Sequence, residues 1–220
     1  MCKRIIEING ASNVRGFIGY TNLKGQTIKN NTFIRSGNIS NINNLGKKQL
    51  EELNIDLVID LRSEKEVELS KPDINNFKYI NIPMMDNVHS KVIGDISENF
   101  PDSLESMYIN LLENSTLQIK KIFNLFADKR YETILYNCFA GKDRTGVITM
   151  LLLGSLGISE DIIINDYSLS EKYFNFNKDD YIGFEIPEFL LNSKSESMER
   201  TLEYINKKYG GILNYLNKIG

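Results

Sequence analysis

The segment at residues 136–146, with the sequence YNCFAGKDRTG, carries the side chains best suited to chemistry. Five residues separate Cys138 from Arg144, and apolar runs lie on both sides of the segment. In a tight turn from a strand to a helix, this spacing directs successive backbone N–H groups into one concavity. Such a concavity, beside a helix N-terminus, binds a tetrahedral oxyanion. The spacing therefore predicts an anion-binding catalytic loop.

Each residue type in this loop has an expected role toward a phosphate ester. The Cys138 thiolate would attack phosphorus in line, and the concavity and the helix terminus would favour the thiolate over the thiol. Arg144 would bind two phosphate oxygens and stabilise the charge of the transition state. Thr145 would donate its hydroxyl to the sulfur when the phosphocysteine is hydrolysed. The residues expected to bind the phosphate are Phe139, Ala140, Gly141, Lys142, Asp143 and Arg144.

The alternative interpretation of the loop is structural, with Cys138 as a buried core residue and residues 142–144 as a solvated turn. A Cys-x5-Arg spacing by itself is a weak signal, because it occurs often by chance. Its position after an apolar strand and before a buried helix, with Gly141 and Gly146 in register, favours the catalytic interpretation. Gly141 would also permit a backbone geometry that a Cβ hinders.

The elements that position the loop follow from the hydrophobic pattern. Short apolar runs predict strands at 56–60, 78–82 and 133–136. Helical patterns are found at 47–53, 104–112, 117–127, 145–156, 159–170 and 195–209. Ser63 and Glu66 form a capping-box pattern, which predicts the start of another helix. Strands that alternate with helices indicate an α/β domain with a central, largely parallel sheet flanked by helices.

The length of the chain predicts a single domain over residues 1–220, because no repeat, low-complexity tract or long linker divides it. Residues around 84–116 could form a lid-like insertion, since this segment has loop character before its helical pattern begins. Met84, Met85 and the apolar side chains at 104–112 would then cover a hydrophobic substrate. The alternative is that these side chains belong to the ordinary core.

The composition argues against several classes of function. A net charge of −3 and a pI near 5.4 disfavour a nucleic-acid binder. A single histidine, His89, and two distant cysteines, Cys2 and Cys138, predict no metal, no cofactor and no disulfide framework, as is typical of a reducing compartment. The apolar run at 147–156 is too short for an integral membrane segment. We expect cytoplasmic residence, although a non-Sec secretion route would leave no recognisable signal in the sequence. The sequence makes no prediction of the oligomeric state.

Further motifs occur outside the loop: NVRG at 13–16, FIRSG at 33–37, IDLRS at 59–63 with Glu66 after it, and DYSLS at 166–170. Together with AGKDRTG at 140–146, they resemble the atypical, dual-specificity-like tyrosine phosphatases of bacteria and fungi. The resemblance implies the tyrosine-phosphatase fold and hydrolysis of phosphomonoesters through a phosphocysteine intermediate, without a metal. It implies phosphotyrosine, phosphoserine, phosphothreonine or phosphoinositide substrates, so the expected partner is a phosphorylated protein or a phosphoinositide.

Two positions depart from the pattern of this family. Asn137 stands where the family has His, which would weaken stabilisation of the Cys138 thiolate, and NVRG lacks the acidic residue that follows its Arg in the family. A second hypothesis is therefore a catalytically weak, phosphate-binding pseudophosphatase. A third is another thiol enzyme with an anion loop, such as a sulfurtransferase or an arsenate reductase. Lys142 would suit a polyphosphorylated head group, so protein and lipid substrates both stay open.

Three aspartates compete for the role of general acid, which must lie within hydrogen-bond reach of the leaving oxygen. Asp143 ranks first, because a loop residue needs no closure and myotubularin-like lipid phosphatases have a similar loop aspartate. Asp60 ranks second and Asp86 third; Asp86 resembles the acid that dual-specificity phosphatases carry on a mobile loop. Asp60 and Arg62 could reach the phosphate from the end of their strand or form a structural ion pair. Arg35 is expected to be structural.

Overall fold

A five-stranded sheet lies at the centre of the computed structural model, which describes residues 4–84, 101–173 and 194–220. The strands are β1 (Arg15–Gly16), β2 (Phe33–Ser36), β3 (Leu57–Asp60), β4 (Tyr79–Asn81) and β5 (Ile134–Asn137). Their spatial order is β1-β2-β5-β3-β4, and all neighbours are parallel except β1 and β2. The predicted α/β fold with a largely parallel sheet is confirmed.

Helices cover both faces of the sheet. Within the described ranges they are α1 (Asn44–Glu52), α2 (Glu64–Leu69), α3 (Leu104–Asn114), α4 (Thr116–Phe126), α5 (Asp143–Ser155), α6 (Glu160–Tyr173), α7 (Ser195–Tyr209) and α8 (Ile212–Ile219). The side chains of the strands alternate between two apolar clusters, as a two-residue period requires. Leu57 and Ile59 belong to one cluster and Val58 to the other.

The register of the central strands brings three carboxyl ends to one edge of the sheet. Asn137, the last residue of β5, pairs with Ser36 at the end of β2 and with Asp60 at the end of β3. The segment after β5 therefore begins between the ends of two neighbouring strands, which is where parallel sheets bind their ligands.

Two helix starts show how local sequence sets the boundaries. Ser63 accepts a hydrogen bond from the backbone of Glu66, and the Glu66 side chain accepts one from the backbone of Ser63, so the predicted capping box is confirmed. The helix predicted from about residue 145 is present as α5, and it begins two residues earlier, at Asp143. The apolar pattern that revealed α5 begins only at Val147, so its polar first turn gave no helical signal.

The described part of the predicted lid segment is packed into the core. Met84 is buried, as are the apolar side chains of α3 that face α5 and α7, namely Leu104, Met107, Tyr108, Leu111 and Leu112. For these residues the structure favours the core alternative. Residues 85–100, with Met85, lie outside the described ranges, so the lid stays a prediction.

No helix in the described ranges is long and apolar enough to cross a membrane.

Candidate active site

The loop between β5 and α5 contains the cysteine and the arginine singled out by spacing. Cys138 is the first residue after β5, is not in a disulfide and is 2% exposed. Lys142 occupies the N-cap position of α5 and gives its first turn no side-chain hydrogen bond. The N–H groups at the start of a helix need partners, so this terminus is suited to an anion.

Gly141 is the residue that lets the loop turn against the end of β2. Its φ is +64°, in the region that favours glycine. A Cβ at this position would lie 2.5 Å from the backbone nitrogen of Gly37 and 2.6 Å from the carbonyl carbon of Ser36. Both contacts are with backbone atoms, which cannot rotate away, so a side chain here would displace the loop.

The carbonyl groups of three successive loop residues are bound by the surrounding scaffold. Phe139 accepts a hydrogen bond from the backbone of Asn38 at 2.8 Å. The side chain of Asn13 donates to the carbonyls of Ala140 and Gly141, each at 3.0 Å. In a trans peptide the N–H group points away from the carbonyl that precedes it. The N–H groups of residues 140–142 therefore point away from the scaffold, as an oxyanion-binding concavity requires.

A buried cluster of charges lies behind the loop. Arg35 donates to the Gly141 carbonyl at 2.7 Å and to Asp166 at 2.6 Å, and Arg15 donates to Asp166 at 3.2 Å. Burial alone would raise the pKa of Asp166, but the charges of the two arginines outweigh it and the pKa is lowered. Two arginines against one ionised aspartate leave one net positive charge in this cluster, which favours an anion in the loop.

Arg144 is held in a fixed position by Glu66. Its two terminal nitrogens donate to the two carboxylate oxygens of Glu66, at 2.6 and 2.8 Å, and both side chains are buried. The same Glu66 carboxylate accepts the backbone N–H of Ser63 at 2.7 Å in the capping box. The start of α2 therefore positions the arginine of the loop.

Asp60 is surrounded by donors at the end of β3. Arg62 binds both of its carboxylate oxygens, at 2.7 to 3.1 Å, and Tyr79 donates to it at 2.9 Å. Both members of the Asp60–Arg62 pair are fully buried. Of the two alternatives for this pair, the geometry favours the structural ion pair.

Asp143 lies in the first turn of α5 and is buried. Its Oδ1 accepts a hydrogen bond from the hydroxyl of Tyr108 at 2.6 Å, and the ammonium of Lys142 lies 3.4 Å from the same oxygen. The third candidate for the general acid, Asp86, lies outside the described residues.

Two polar side chains of the 136–146 segment have weak or missing hydrogen bonds. The buried hydroxyl of Thr145 has no partner in the part of the chain that the structure describes, so its expected bond to the sulfur is not formed here. Asn137 donates to Asp60 at 3.4 Å and to the Cys138 carbonyl at 3.5 Å, while its buried Oδ1 has no partner among those residues.

The sequence motifs contained several of these residues without revealing what they contact. Asn13, Glu66 and Asp166 stood in recognisable segments, but their contacts with Ala140, Arg144 and Arg15 span 78 to 151 residues, a separation that no local pattern reveals. In residues 4–84, 101–173 and 194–220 there is no group of three or more His, Cys, Asp or Glu side chains that could hold a metal ion.

Comparison with known proteins gives consistent matches. The profile described as "Tyrosine phosphatase family" matches residues 6–220. A tyrosine-protein phosphatase of Nostoc commune is 31% identical over 154 residues, covering 68% of this chain but only 52% of that relative, so the match spans about half its length. The triple specificity protein phosphatase PtpB of Mycobacterium tuberculosis is 23% identical, with 84% of each chain covered. The core catalytic domain of the PP-IP phosphatase Siw14 from S. cerevisiae is 15% identical, with 96% of this chain and 98% of that chain covered and a TM-score of 0.46.

Proposed function

Because this chain belongs to the tyrosine phosphatase family, we propose that it hydrolyses phosphomonoesters with Cys138 as the nucleophile. The observation that carries the proposal is the orientation of the loop. The carbonyls of Phe139, Ala140 and Gly141 are bound by the scaffold, so the next N–H groups point to the opposite side. A phosphate bound there would be held by backbone N–H groups, the uncapped start of α5 and Arg144.

In the first step, the sulfur of Cys138 forms a bond to phosphorus while the bond from phosphorus to the ester oxygen breaks. The leaving oxygen takes a proton from a carboxylic acid, for which we propose Asp143, with Asp60 and Asp86 as alternatives. Arg144, fixed by Glu66, stabilises the negative charge on the phosphoryl oxygens. The product of this step is a phosphocysteine.

In the second step, a water oxygen forms a bond to phosphorus and the bond from sulfur to phosphorus breaks. The proton of the water returns to the carboxylate that acted as the acid, and the electron pair of the broken bond stays on sulfur. Thr145 is proposed to rotate its hydroxyl toward the leaving thiolate. Its hydroxyl has no partner in the described residues, so this rotation breaks no existing hydrogen bond.

The proposed substrates are phosphotyrosine in proteins, with phosphoserine, phosphothreonine and phosphoinositides as further candidates. Lys142 supports the last of these, because it places a second cation in the loop, two residues before Arg144, for a polyphosphorylated head group. The printed name of the Mycobacterium relative also records a broad specificity for that protein.

Asn137 favours a second candidate function, which is phosphate binding with weak catalysis. The contacts of this side chain are long, at 3.4 and 3.5 Å, and its Oδ1 has no partner in the described part of the chain. A residue held in this way gives the thiolate of Cys138 little electrostatic support. The sulfurtransferase and arsenate reductase alternatives have no support from the family match.

Turnover of para-nitrophenyl phosphate, measured from acidic to mildly alkaline pH, separates these functions. An active phosphatase releases the phenol with a bell-shaped dependence on pH. The pseudophosphatase would bind inorganic phosphate, measured by calorimetry, without releasing the phenol above the rate of the Cys138→Ser variant.

A further inference from the structure

Two buried tyrosines connect the first-ranked acid to two helices outside the loop. The hydroxyl of Tyr108, from α3, donates to Asp143 at 2.6 Å. The hydroxyl of Tyr167, from α6, lies 2.7 Å from that of Tyr108, and the two rings meet edge to face at 5.9 Å. Both tyrosines are at most 1% exposed. A chain of three polar groups in the core therefore ends at the carboxyl group of Asp143.

We propose that Tyr108, supported by Tyr167, is a positioning residue for Asp143 and determines which of its oxygens transfers the proton. The inference rests on the proposed function, because it concerns the acid of that reaction. It adds a role for Tyr108, which lies outside the sequence motifs, and for Tyr167, which lies in the DYSLS segment but had no role assigned to it.

The direction of the hydrogen bonds identifies the reacting oxygen. Burial, followed by the charge of Asp143, raises the pKa of Tyr108 well above its ordinary value, so Tyr108 keeps its proton at every working pH and stays a donor. Burial also raises the pKa of Tyr167 well above its ordinary value. Since Tyr108 has one O–H and gives it to Oδ1 of Asp143, its lone pairs accept the O–H of Tyr167. The transferred proton of Asp143 therefore lies on Oδ2.

The same hydrogen bond changes strength during the reaction. When Oδ2 gives its proton to the leaving oxygen, negative charge spreads over the carboxylate, and a bond from a neutral donor to a charged acceptor is roughly twice as strong as one between neutral groups. Tyr108 therefore stabilises the carboxylate that forms more than the acid that precedes it, and this difference accelerates the step.

Other charged groups also act on the Tyr167–Tyr108–Asp143 chain of polar groups. Lys142 lies 3.4 Å from the same Oδ1, and the N-terminus of α5 favours the ionised carboxylate. Tyr167 is influenced by the charge of Arg35 from β2 and by that of Glu171 from its own helix. None of these groups is removed by a change from tyrosine to phenylalanine, so such a change isolates the contribution of one hydroxyl.

The test is the pH dependence of kcat/KM for Tyr108→Phe and Tyr167→Phe, with Tyr215→Phe as the matched control. Tyr215 is also a fully buried tyrosine, and its hydroxyl donates at 2.7 Å to the backbone carbonyl of Leu112 instead of to the loop. Phenyl phosphate needs the acid because its leaving group is poor, whereas para-nitrophenyl phosphate depends on it much less. Thermal unfolding of each variant shows whether the fold is kept.

Tyr108→Phe should move the basic limb of the profile to higher pH by about one unit, because the ionised carboxylate loses a stabilising donor. Phenyl phosphate should lose roughly tenfold in rate and para-nitrophenyl phosphate much less. Tyr167→Phe should shift the limb in the same direction by a smaller amount, and Tyr215→Phe should not shift it. If Tyr108→Phe does not fold, Tyr167→Phe tests the positioning role alone. A basic limb shifted to higher pH then supports the role, and an unchanged limb contradicts it.

An active wild type whose basic limb is unchanged in both tyrosine variants overturns the positioning role and leaves the phosphatase function standing. A basic limb that survives in Asp143→Asn overturns the role as well, because the acid is then another residue. A wild type without turnover contradicts the proposed function itself, and the positioning role with it.

Discussion

The two terminal nitrogens of Arg144 bind the two carboxylate oxygens of Glu66, so the arginine of the loop is fixed before any substrate arrives. Because Glu66 also caps α2, this contact ties the loop to a second helix start. A guanidinium that is already oriented loses less conformational entropy when it binds phosphate than a free one does. The pair is therefore a preorganised part of the proposed phosphate site.

Glu66→Gln should lower kcat/KM by roughly ten- to a hundredfold, because a neutral amide cannot accept two charge-assisted bonds from Arg144. Steady-state kinetics with para-nitrophenyl phosphate measures the loss. Glu64→Gln is the matched control, since Glu64 lies in the same first turn of α2 but is exposed. Equal rates in the two variants would show that Glu66 does not position Arg144.

Arg144→Lys should lose at least about a hundredfold in kcat although the charge is kept, because an ammonium cannot make two parallel bonds to phosphate oxygens. The same kinetic assay applies, and inorganic phosphate serves as a competitive inhibitor to report binding. Wild-type kinetics in this variant would contradict the two-point contact between Arg144 and phosphate.

Gly141→Ala should abolish phosphate binding and destabilise the fold, because the added Cβ meets the backbone of Ser36 and Gly37. Gly19→Ala is the matched control: Gly19 has a positive φ of +83°, but nothing lies within 4 Å of its added Cβ. Both variants carry a left-handed backbone strain of about 1–2 kcal/mol, and only the loop variant carries the clash. Calorimetric phosphate titration that gives the same affinity for both would rule out the tight fit of the loop against β2.

Asn137→His should make Cys138 react with iodoacetamide at lower pH, because an imidazole beside the loop supplies the stabilisation of the thiolate that the weakly bonded amide lacks. The measurement is the alkylation rate of Cys138 as a function of pH, followed by mass spectrometry in the variant and in the wild type. A profile identical to that of the wild type means that position 137 does not tune the cysteine, and the case for weak catalysis then fails.

The sequence predicted those parts of the site whose cause is local. The Cys138–Arg144 spacing, the capping box at Ser63 and the apolar β5 all depend on neighbouring residues. The fold class was predicted from the alternation of strands and helices along the chain. The first turn of α5 was missed because it is polar and belongs to the loop as much as to the helix.

Long-range contacts could not be predicted in this way. The bonds from Asn13 and Arg35 to the loop carbonyls join residues more than a hundred positions apart. The choice between a structural and a catalytic Asp60 depended on Arg62, two residues away, and on Tyr79, which the parallel pairing of β3 and β4 brings close. The contacts to the loop carbonyls and the contact between Tyr79 and Asp60 form only when the sheet is assembled.

The central claim is that Cys138 is the nucleophile in a preformed phosphate site, and the Cys138→Ser variant tests it most directly. A serine hydroxyl fits the loop but is not ionised near neutral pH, so phosphate should still bind while turnover stops. The measurement is the rate of para-nitrophenyl phosphate hydrolysis together with the phosphate affinity of the same sample. We predict a rate at least a thousandfold below the wild type, about 4 kcal/mol in barrier, with affinity nearly unchanged. Activity within about tenfold of the wild type would contradict the account.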